Sequence, residues 1–228
     1  MNLPSLPFSN HYPTRAEKLA DGWVHGVGLA AAVAGAIVLI VIALVDGGSA
    51  GLLVATGLYC LCLIAMLSFS AIYNLNRAPD AKPILRQLDE AGILLMIAGS
   101  YTPFTTQRFE GGWAIGMTAL VWTVALAGVV GKLSGARIPD KAWTLLYVAF
   151  GWLIVVAIKP LVTGVPMTTL ILLVAGGLIY TTGALIYHSR LPFRRAIWHG
   201  FVVTAAAAHF AAICIGVVLA APVGAMGT

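Results

Sequence analysis

Charged residues are scarce in this chain. Only 9% of its 228 residues are charged, whereas 60% are hydrophobic. Water-soluble proteins carry about 25% charged residues, which they need to solvate their surface. The composition therefore excludes a water-soluble domain.

Cysteines are also few, and none of them marks a site. Cys60, Cys62 and Cys214 lie inside apolar runs, where a thiol behaves as a small apolar side chain. We therefore expect no disulfide framework. The net charge of +5 does not predict a nucleic-acid partner either, because the basic residues of a membrane protein collect beside the cytoplasmic leaflet.

Continuous apolar runs dominate the sequence. A bilayer core of about 30 Å requires about 20 apolar residues per helical crossing, and a membrane β-barrel would instead alternate with a period of two. The sequence therefore predicts an all-α integral membrane protein, a seven-transmembrane-helix bundle forming one domain over residues 1–228. The approximate helices are 21–45, 51–74, 89–107, 112–131, 141–159, 167–188 and 196–220.

Lysine and arginine residues predict the orientation of this bundle. All but two of the 13 precede helix 1 or join helices 2 and 3, 4 and 5, or 6 and 7. They are Arg15, Lys18, Arg77, Lys82, Arg86, Lys132, Arg137, Lys141, Arg190, Arg194 and Arg195. Arg108 and Lys159 lie on the opposite side. Because cytoplasmic loops carry the excess of basic residues, the N-terminus is predicted to be cytoplasmic and the C-terminus external.

Polar side chains form one layer at the predicted cytoplasmic end. Glu17, Asp21 and His25 follow one another at four-residue spacing, which places them on one face of helix 1. The other members close helix 2 or open helices 3 and 7: Ser70, Tyr73, Asn74, Asp89, Glu90, Arg195 and His199. Side chains from different helices must therefore meet to complete a site.

Two interpretations of these residues compete. Charges are common at helix ends, where they complement the helix dipole and the membrane surface, and this is how we interpret Glu17, Lys18 and Arg194. Ionisable groups inside the hydrocarbon are costly and usually face a partner within the bundle. We therefore expect His25, Asp89 and His199 to face one another in the interior.

One further histidine lies deeper in the predicted membrane. His209 follows His199 by ten residues, which corresponds to about 15 Å along a helix axis. The two side chains are therefore not expected to share a metal ion. We interpret His209 as a packing histidine that is hydrogen-bonded to Thr204 or to a neighbouring helix.

Several motifs carry a family resemblance over nearly the whole chain. They are E-xxx-D-xxx-H from Glu17 to His25, S-A-I-Y-N at 70–74, L-D-E-A-G-I-L-L-M-I-A-G-S-Y-T-P-F at 88–104, G-G-L-I-Y-T-T-G-A at 176–184 and I-W-H-G-F-V-V at 197–203. In this order they resemble the hemolysin III family of bacterial inner-membrane proteins, the prokaryotic branch of the progestin and adiponectin receptor superfamily. The resemblance implies a multi-pass protein of the bacterial inner (cytoplasmic) membrane that has membrane lipids as partners.

The superfamily resemblance also implies a zinc site, formed by a histidine closing helix 2, two histidines on helix 7 and a nearby aspartate on helix 3. Here Asn74 and Arg195 occupy two of the histidine positions, His199 keeps the third, and Asp89 matches the aspartate. An amide and a guanidinium are poor zinc ligands. We therefore expect no metal in this degenerate site, and we predict an internal network in which Arg195 binds the carboxylates of Asp89 and Glu90.

Four functions remain open from the sequence. The preferred one is non-enzymatic: adjusting or sensing the bilayer in membrane-lipid or membrane-energy homeostasis, as the family resemblance implies. The second is a zinc-dependent, ceramidase-like lipid amide hydrolase, in which Ser70 and Asp89 orient or deprotonate a metal-bound water. Its zinc ligands would be His199 with Asp89, Glu90 or His25. A pore-forming cytolysin and an ion transporter are disfavoured, because hardly any charge lies at mid-membrane depth.

Overall fold

A computed structural model describes residues 12–76, 78, 80–135 and 138–220, and within these ranges the secondary structure is helical, without strands. Its α-helices are α1 (Arg15–Val45), α2 (Ala50–Leu75), α3 (Lys82–Gln107), α4 (Gly111–Leu133), α5 (Asp140–Gly151), α6 (Ile158–Gly164), α7 (Met167–Tyr187) and α8 (Arg194–Ile213). A 3-10 segment, Trp152–Ala157, joins α5 to α6, and a π-helical turn, Cys214–Val218, continues α8. Arg77 and Arg137, which contribute to the predicted orientation, lie outside the described residues.

The prediction of an all-α, multi-pass membrane fold is confirmed. Six helical segments are long and apolar enough to cross a membrane: α1, α2, α4, Asp140–Gly164, α7 and Arg194–Val218. Large apolar side chains cover the outside of the bundle, and Val54 and Ile115 are 70% and 75% exposed. α3 is more polar than these segments, because its first turns carry the charged residues Lys82, Arg86, Asp89 and Glu90 and its last turns carry a run of hydroxyl-bearing residues.

The helix starts are set by local caps. α1 begins at Arg15, earlier than the predicted residue 21, because the Thr14 side chain accepts a hydrogen bond from the Glu17 backbone N–H at 3.1 Å. Ser49 caps α2 in the same way through the Leu52 N–H. Glu17 therefore lies within α1, on the same helical face as Asp21 and His25.

The helices are arranged as a ring around an internal space. α1 packs between α2 and α8, and the pairs α2–α3, α3–α4 and α7–α8 share long interfaces. α5 makes only small contacts, with α3 and α7. The Asp140–Gly164 segment is therefore the least tightly packed part of the ring.

Tyr101 of α3 supports the irregular backbone of that segment. Its hydroxyl accepts a hydrogen bond from the Ile154 N–H at 2.7 Å and lies 2.9 Å from the Gly151 carbonyl, to which it donates. Backbone polar groups inside a bilayer must find a protein partner, because lipid offers none. Tyr101 thus satisfies the backbone where the 3-10 segment interrupts the helix.

Candidate functional site

Asp21 is the centre of a polar cluster at the end of the bundle where α1, α3 and α8 begin and α2 ends. Its carboxylate is fully buried. Oδ1 accepts a hydrogen bond from His199 Nδ1 at 2.6 Å, and Oδ2 lies 3.3 Å from His25 Nε2. The two imidazole rings pack together with their centroids 4.3 Å apart. Asp21 and His25, one turn apart on α1, therefore form a single buried carboxylate–imidazole group with His199 of α8.

Ser70 of α2 extends this cluster on the other side of His199. Its Oγ lies 3.4 Å from His199 Nε2, so both ring nitrogens of His199 face a polar partner. Asn74 Nδ2 donates to the Ser70 carbonyl at 3.0 Å and lies 3.4 Å from Ser70 Oγ. A chain of polar contacts thus runs from Asp21 through His199 to Ser70 and connects α1, α8 and α2.

The segment before α1 contributes Tyr12, which sequence reasoning missed. Its hydroxyl donates a hydrogen bond to Asp21 Oδ2. Burial, followed by the hydrogen bond to this carboxylate, raises the pKa of Tyr12 well above its usual value, so the phenol stays protonated and remains a donor. A lone aromatic residue before a helix belongs to no periodic pattern, so the sequence offered no signal for this contact.

The cluster contains a set of side chains that could hold a metal ion. One ligand atom from each of Asp21, His25 and His199 lies within 4.8 Å of the others, and all three residues are buried. His25 Nε2 has no hydrogen-bond partner among the residues that the structure describes. Carboxylate oxygen and imidazole nitrogen are ordinary zinc ligands. The residues present therefore fit a zinc ion, but with two ligands from α1 in place of those that the superfamily resemblance implies.

The predicted contact of Arg195 with Asp89 and Glu90 is not among the ion pairs that the described residues form. Within the described ranges, Glu90 pairs with Lys132 of α4 and with Arg86 Nε at 2.7 Å. The Arg195 guanidinium instead lies 5.9 Å from the centroid of the Tyr12 ring. The sequence gives the depth of Arg195 but not its direction around α8, and the structure places it at the same cavity as Asp89 and Glu90.

The remaining predicted residues lie at the edges of the cluster. Glu17 belongs to the capped first turn of α1. The Tyr73 carbonyl accepts a hydrogen bond from Lys82, whose ammonium lies 4.8 Å from the centroid of the Tyr73 ring. Asp89, by contrast, is hydrogen-bonded to the Ser70 side chain and lines the same internal cavity as Ser70 and His199. None of these three belongs to the group of possible metal ligands around Asp21.

A cavity of about 720 Å³ extends from the cluster into the bundle. Its polar end is lined by His25, Ser70, Asp89 and His199, whereas apolar residues such as Ile97 line its deeper part. The lining residues on the 3-10 segment, α6 and α7 include several that are about half exposed: Val155, Ile158, Val162 and Val174. The bundle therefore does not fully enclose the cavity along these elements.

His209 lines the deep part of this cavity. Its Nε2 lies 3.3 Å from the Leu173 carbonyl of α7, whereas Thr204 donates to the Gly200 carbonyl. The partner of His209 is therefore on a neighbouring helix. The imidazole packs directly over Gly176, where a Cβ atom would collide with the ring.

Known proteins match this chain over most of its length. The sequence profile of the family described as haemolysin-III related matches residues 14–210. The chain belongs to this family. It is 36% identical to hemolysin-3 of Bacillus cereus over 197 residues, which cover 85% of this chain and 89% of that protein. It is 31% identical to the hemolysin-3 homolog of Bacillus subtilis (strain 168) over 198 residues, which cover 86% of this chain and 92% of that protein.

A more distant match extends to animals. The chain is 29% identical to the human monocyte to macrophage differentiation factor over 160 residues, which cover 69% of this chain and 66% of that protein. This match supports the relation to the progestin and adiponectin receptor superfamily that the sequence motifs indicate. The family profile at residues 14–210 covers every residue of the polar cluster from Asp21 to His199.

Proposed function

We propose that this haemolysin-III related protein is a seven-span protein of the bacterial inner membrane that binds a membrane lipid in its cavity and so acts in membrane-lipid or membrane-energy homeostasis. In this proposal α3 crosses the bilayer together with the six apolar segments, the N-terminus is cytoplasmic and the C-terminus is external. The distribution of basic residues supports this orientation. The polar cluster then lies at the cytoplasmic leaflet.

The cavity is the observation that carries this proposal. Its volume of about 720 Å³ falls within the range of about 300–1,000 Å³ that is usual for ligand pockets. One end offers carboxylate, imidazole and hydroxyl groups, and the other end is apolar and lies beside the lipid-facing surface. An amphipathic molecule with its polar group at the cluster and its chain between the helices satisfies both ends.

Lipid occupancy tests the proposal. The full-length protein is reconstituted with a diacyl phospholipid that carries a photoreactive group on one chain, and crosslinked peptides are located by mass spectrometry. We expect crosslinks to the cavity lining, and we expect Ile97→Trp, which fills the cavity, to abolish them. Ile115→Trp makes the same change on the lipid-facing side of α4 and serves as the matched control. Equal internal crosslinking in both variants, or crosslinks to outward-facing residues alone, would contradict the proposal.

A second candidate, a zinc-dependent lipid hydrolase, is favoured by the Asp21–His25–His199 group. These three side chains would hold the ion, and a zinc ion supplies an acidified water and polarises a carbonyl oxygen when it is bound. Elemental analysis of the purified protein tests this candidate. One zinc per chain that is lost in His25→Ala would support it, and a metal-free protein that still releases fatty acid from lipid would exclude it.

A further inference from the structure

We infer that Ser70, His199 and Asp21 form a nucleophilic triad that cleaves the acyl ester of an anionic membrane lipid. Its residues come from three helices that are far apart in the sequence: α2, α8 and α1. The inference rests on the proposed lipid occupancy of the cavity. It goes beyond that proposal by assigning a covalent reaction to residues that otherwise appear as packing or metal-binding groups.

The order of the hydrogen bonds carries the inference. The carboxylate of Asp21 accepts from His199 Nδ1 at 2.6 Å, which leaves Nε2 as the unprotonated nitrogen of the neutral ring. That nitrogen lies 3.4 Å from Ser70 Oγ, and the Ser70 hydroxyl is also hydrogen-bonded to the carboxylate of Asp89. A nucleophile beside a base whose other side is oriented by a carboxylate is the arrangement that activates a serine, and the first contact is often longer before substrate binds.

The surroundings of Ser70 suit an acyl carbonyl. Ser70 and His199 both line the cavity, so a lipid chain inside it brings a carbonyl carbon to Oγ. The Asn74 amide donates to the Ser70 carbonyl at 3.0 Å and lies 3.4 Å from Ser70 Oγ, so it holds Ser70 in position. Another serine of the cavity, Ser100, lacks these neighbours, because its hydroxyl donates to the Ile97 carbonyl of its own helix at 2.8 Å.

The charge at the cavity mouth selects an anionic lipid. The cavity is lined by the carboxylates of Asp89, Glu90 and Asp140, and the last two are paired with Lys132 and Arg86. Arg194 and Arg195 form no ion pair among the described residues, so the lining keeps a net positive charge. Guanidinium groups bind phosphate oxygens in a bidentate manner. A glycerophospholipid with a net negative headgroup would place its phosphate near these arginines and its ester carbonyls deeper, at the level of Ser70.

The reaction proceeds in two balanced steps. Ser70 Oγ bonds to the carbonyl carbon while His199 Nε2 takes the hydroxyl proton, and the carbon–oxygen bond to the glycerol then breaks as His199 returns the proton to the leaving alkoxide. Water then attacks the acyl-serine while His199 takes its proton, the bond to Oγ breaks, and Oγ recovers the proton. The products are a free fatty acid and a lysolipid, and water is the only co-reactant.

An alkyl fluorophosphonate tests the triad in the full-length protein reconstituted in lipid nanodiscs. This probe forms an Oγ–phosphorus bond with an activated serine and releases fluoride and a proton. We expect a single adduct on Ser70, a labelling rate at least about 10³-fold lower in His199→Gln and in Asp21→Asn, and an unchanged rate in Ser68→Ala, which changes a serine of α2 that does not line the cavity. Size-exclusion profiles and melting temperatures identify any variant that is misfolded.

Three outcomes would overturn the triad. The first is a Ser70 that stays unlabelled in folded protein. The second is labelling that is as fast in His199→Gln as in the natural sequence. The third is fatty-acid release that stops when a metal chelator is added, without any adduct on Ser70. Lipid occupancy, measured on the same samples by native mass spectrometry, separates the two proposals. A lipid-bound protein without an adduct contradicts the triad alone, whereas an empty cavity contradicts the proposed function as well.

Discussion

The imidazole of His199 and the carboxylate of Asp21 meet at 2.6 Å although 178 positions separate them in the chain. This contact joins α8 to α1, so a buried polar bond connects the last helix of the ring with the first. The same two side chains belong to the group of possible metal ligands around Asp21 and to the triad. The stability and the chemistry of this end of the bundle therefore depend on one carboxylate.

Asp21→Ala is expected to lower the free energy of unfolding by about 1–3 kcal/mol, the cost of a buried donor that loses its acceptor. The physical reason is that His199 Nδ1–H would be left unpaired inside the bundle. Thermal unfolding in detergent measures the effect. Asp46→Ala, in the exposed turn after α1, is the control and should change stability by less than about 0.5 kcal/mol. Equal losses in both variants would show that the buried contact does not stabilise the bundle.

Glu90→Gln should destabilise the protein more than Asp140→Asn does. Glu90 pairs with Lys132, whose side chain is only 7% exposed and lies 3.9 Å from the centroid of the Trp143 ring. Asp140 pairs with Arg86 at the surface, where the carboxylate is 61% exposed. We expect a loss of about 1–3 kcal/mol for Glu90→Gln and less than about 1 kcal/mol for Asp140→Asn. Chemical denaturation of the two variants decides the order, and the reverse order would contradict the structure.

Tyr101→Phe should loosen the irregular segment between α5 and α6. Without the hydroxyl, the Ile154 N–H and the Gly151 carbonyl lose their partner inside the membrane. We expect hydrogen exchange at the Ile154 amide to become at least about tenfold faster, which corresponds to about 1.4 kcal/mol. Amides in the first two turns of α5 serve as an internal reference. Unchanged protection at Ile154 would mean that another group satisfies this backbone.

Asn74→His combined with Arg195→His restores the histidine pattern that the superfamily resemblance implies. We expect the double variant to bind about one zinc ion per chain, because two imidazoles replace an amide and a guanidinium near His199. Zinc titration with elemental analysis measures this gain. An Asn74→His and Arg195→Lys variant keeps the positive charge and is expected to bind no more zinc than the natural sequence. Equal binding by the two variants would contradict the argument.

The sequence predicts how deep a side chain lies in the membrane better than it predicts which way that side chain points around its helix. Apolar runs and basic residues place Asp21, His25 and His199 in one layer, and the structure brings these three together. Whether two side chains in a layer touch depends on how each helix is rotated about its axis. That rotation results from packing along the whole helix, so the sequence did not show that Glu90 pairs with Lys132, and the predicted contact of Arg195 with the carboxylates of α3 is not among the ion pairs of the described residues.

The most direct test of the central claim is an electron cryomicroscopy map of the protein in nanodiscs made of a single anionic phospholipid. The account predicts elongated density in the cavity with its polar end beside Ser70 and His199. It also predicts that this density is missing in Ile97→Trp and present in Ile115→Trp. A cavity that is filled by side chains, or that is empty in the natural sequence, would contradict the claim that the bundle holds a lipid at its polar cluster.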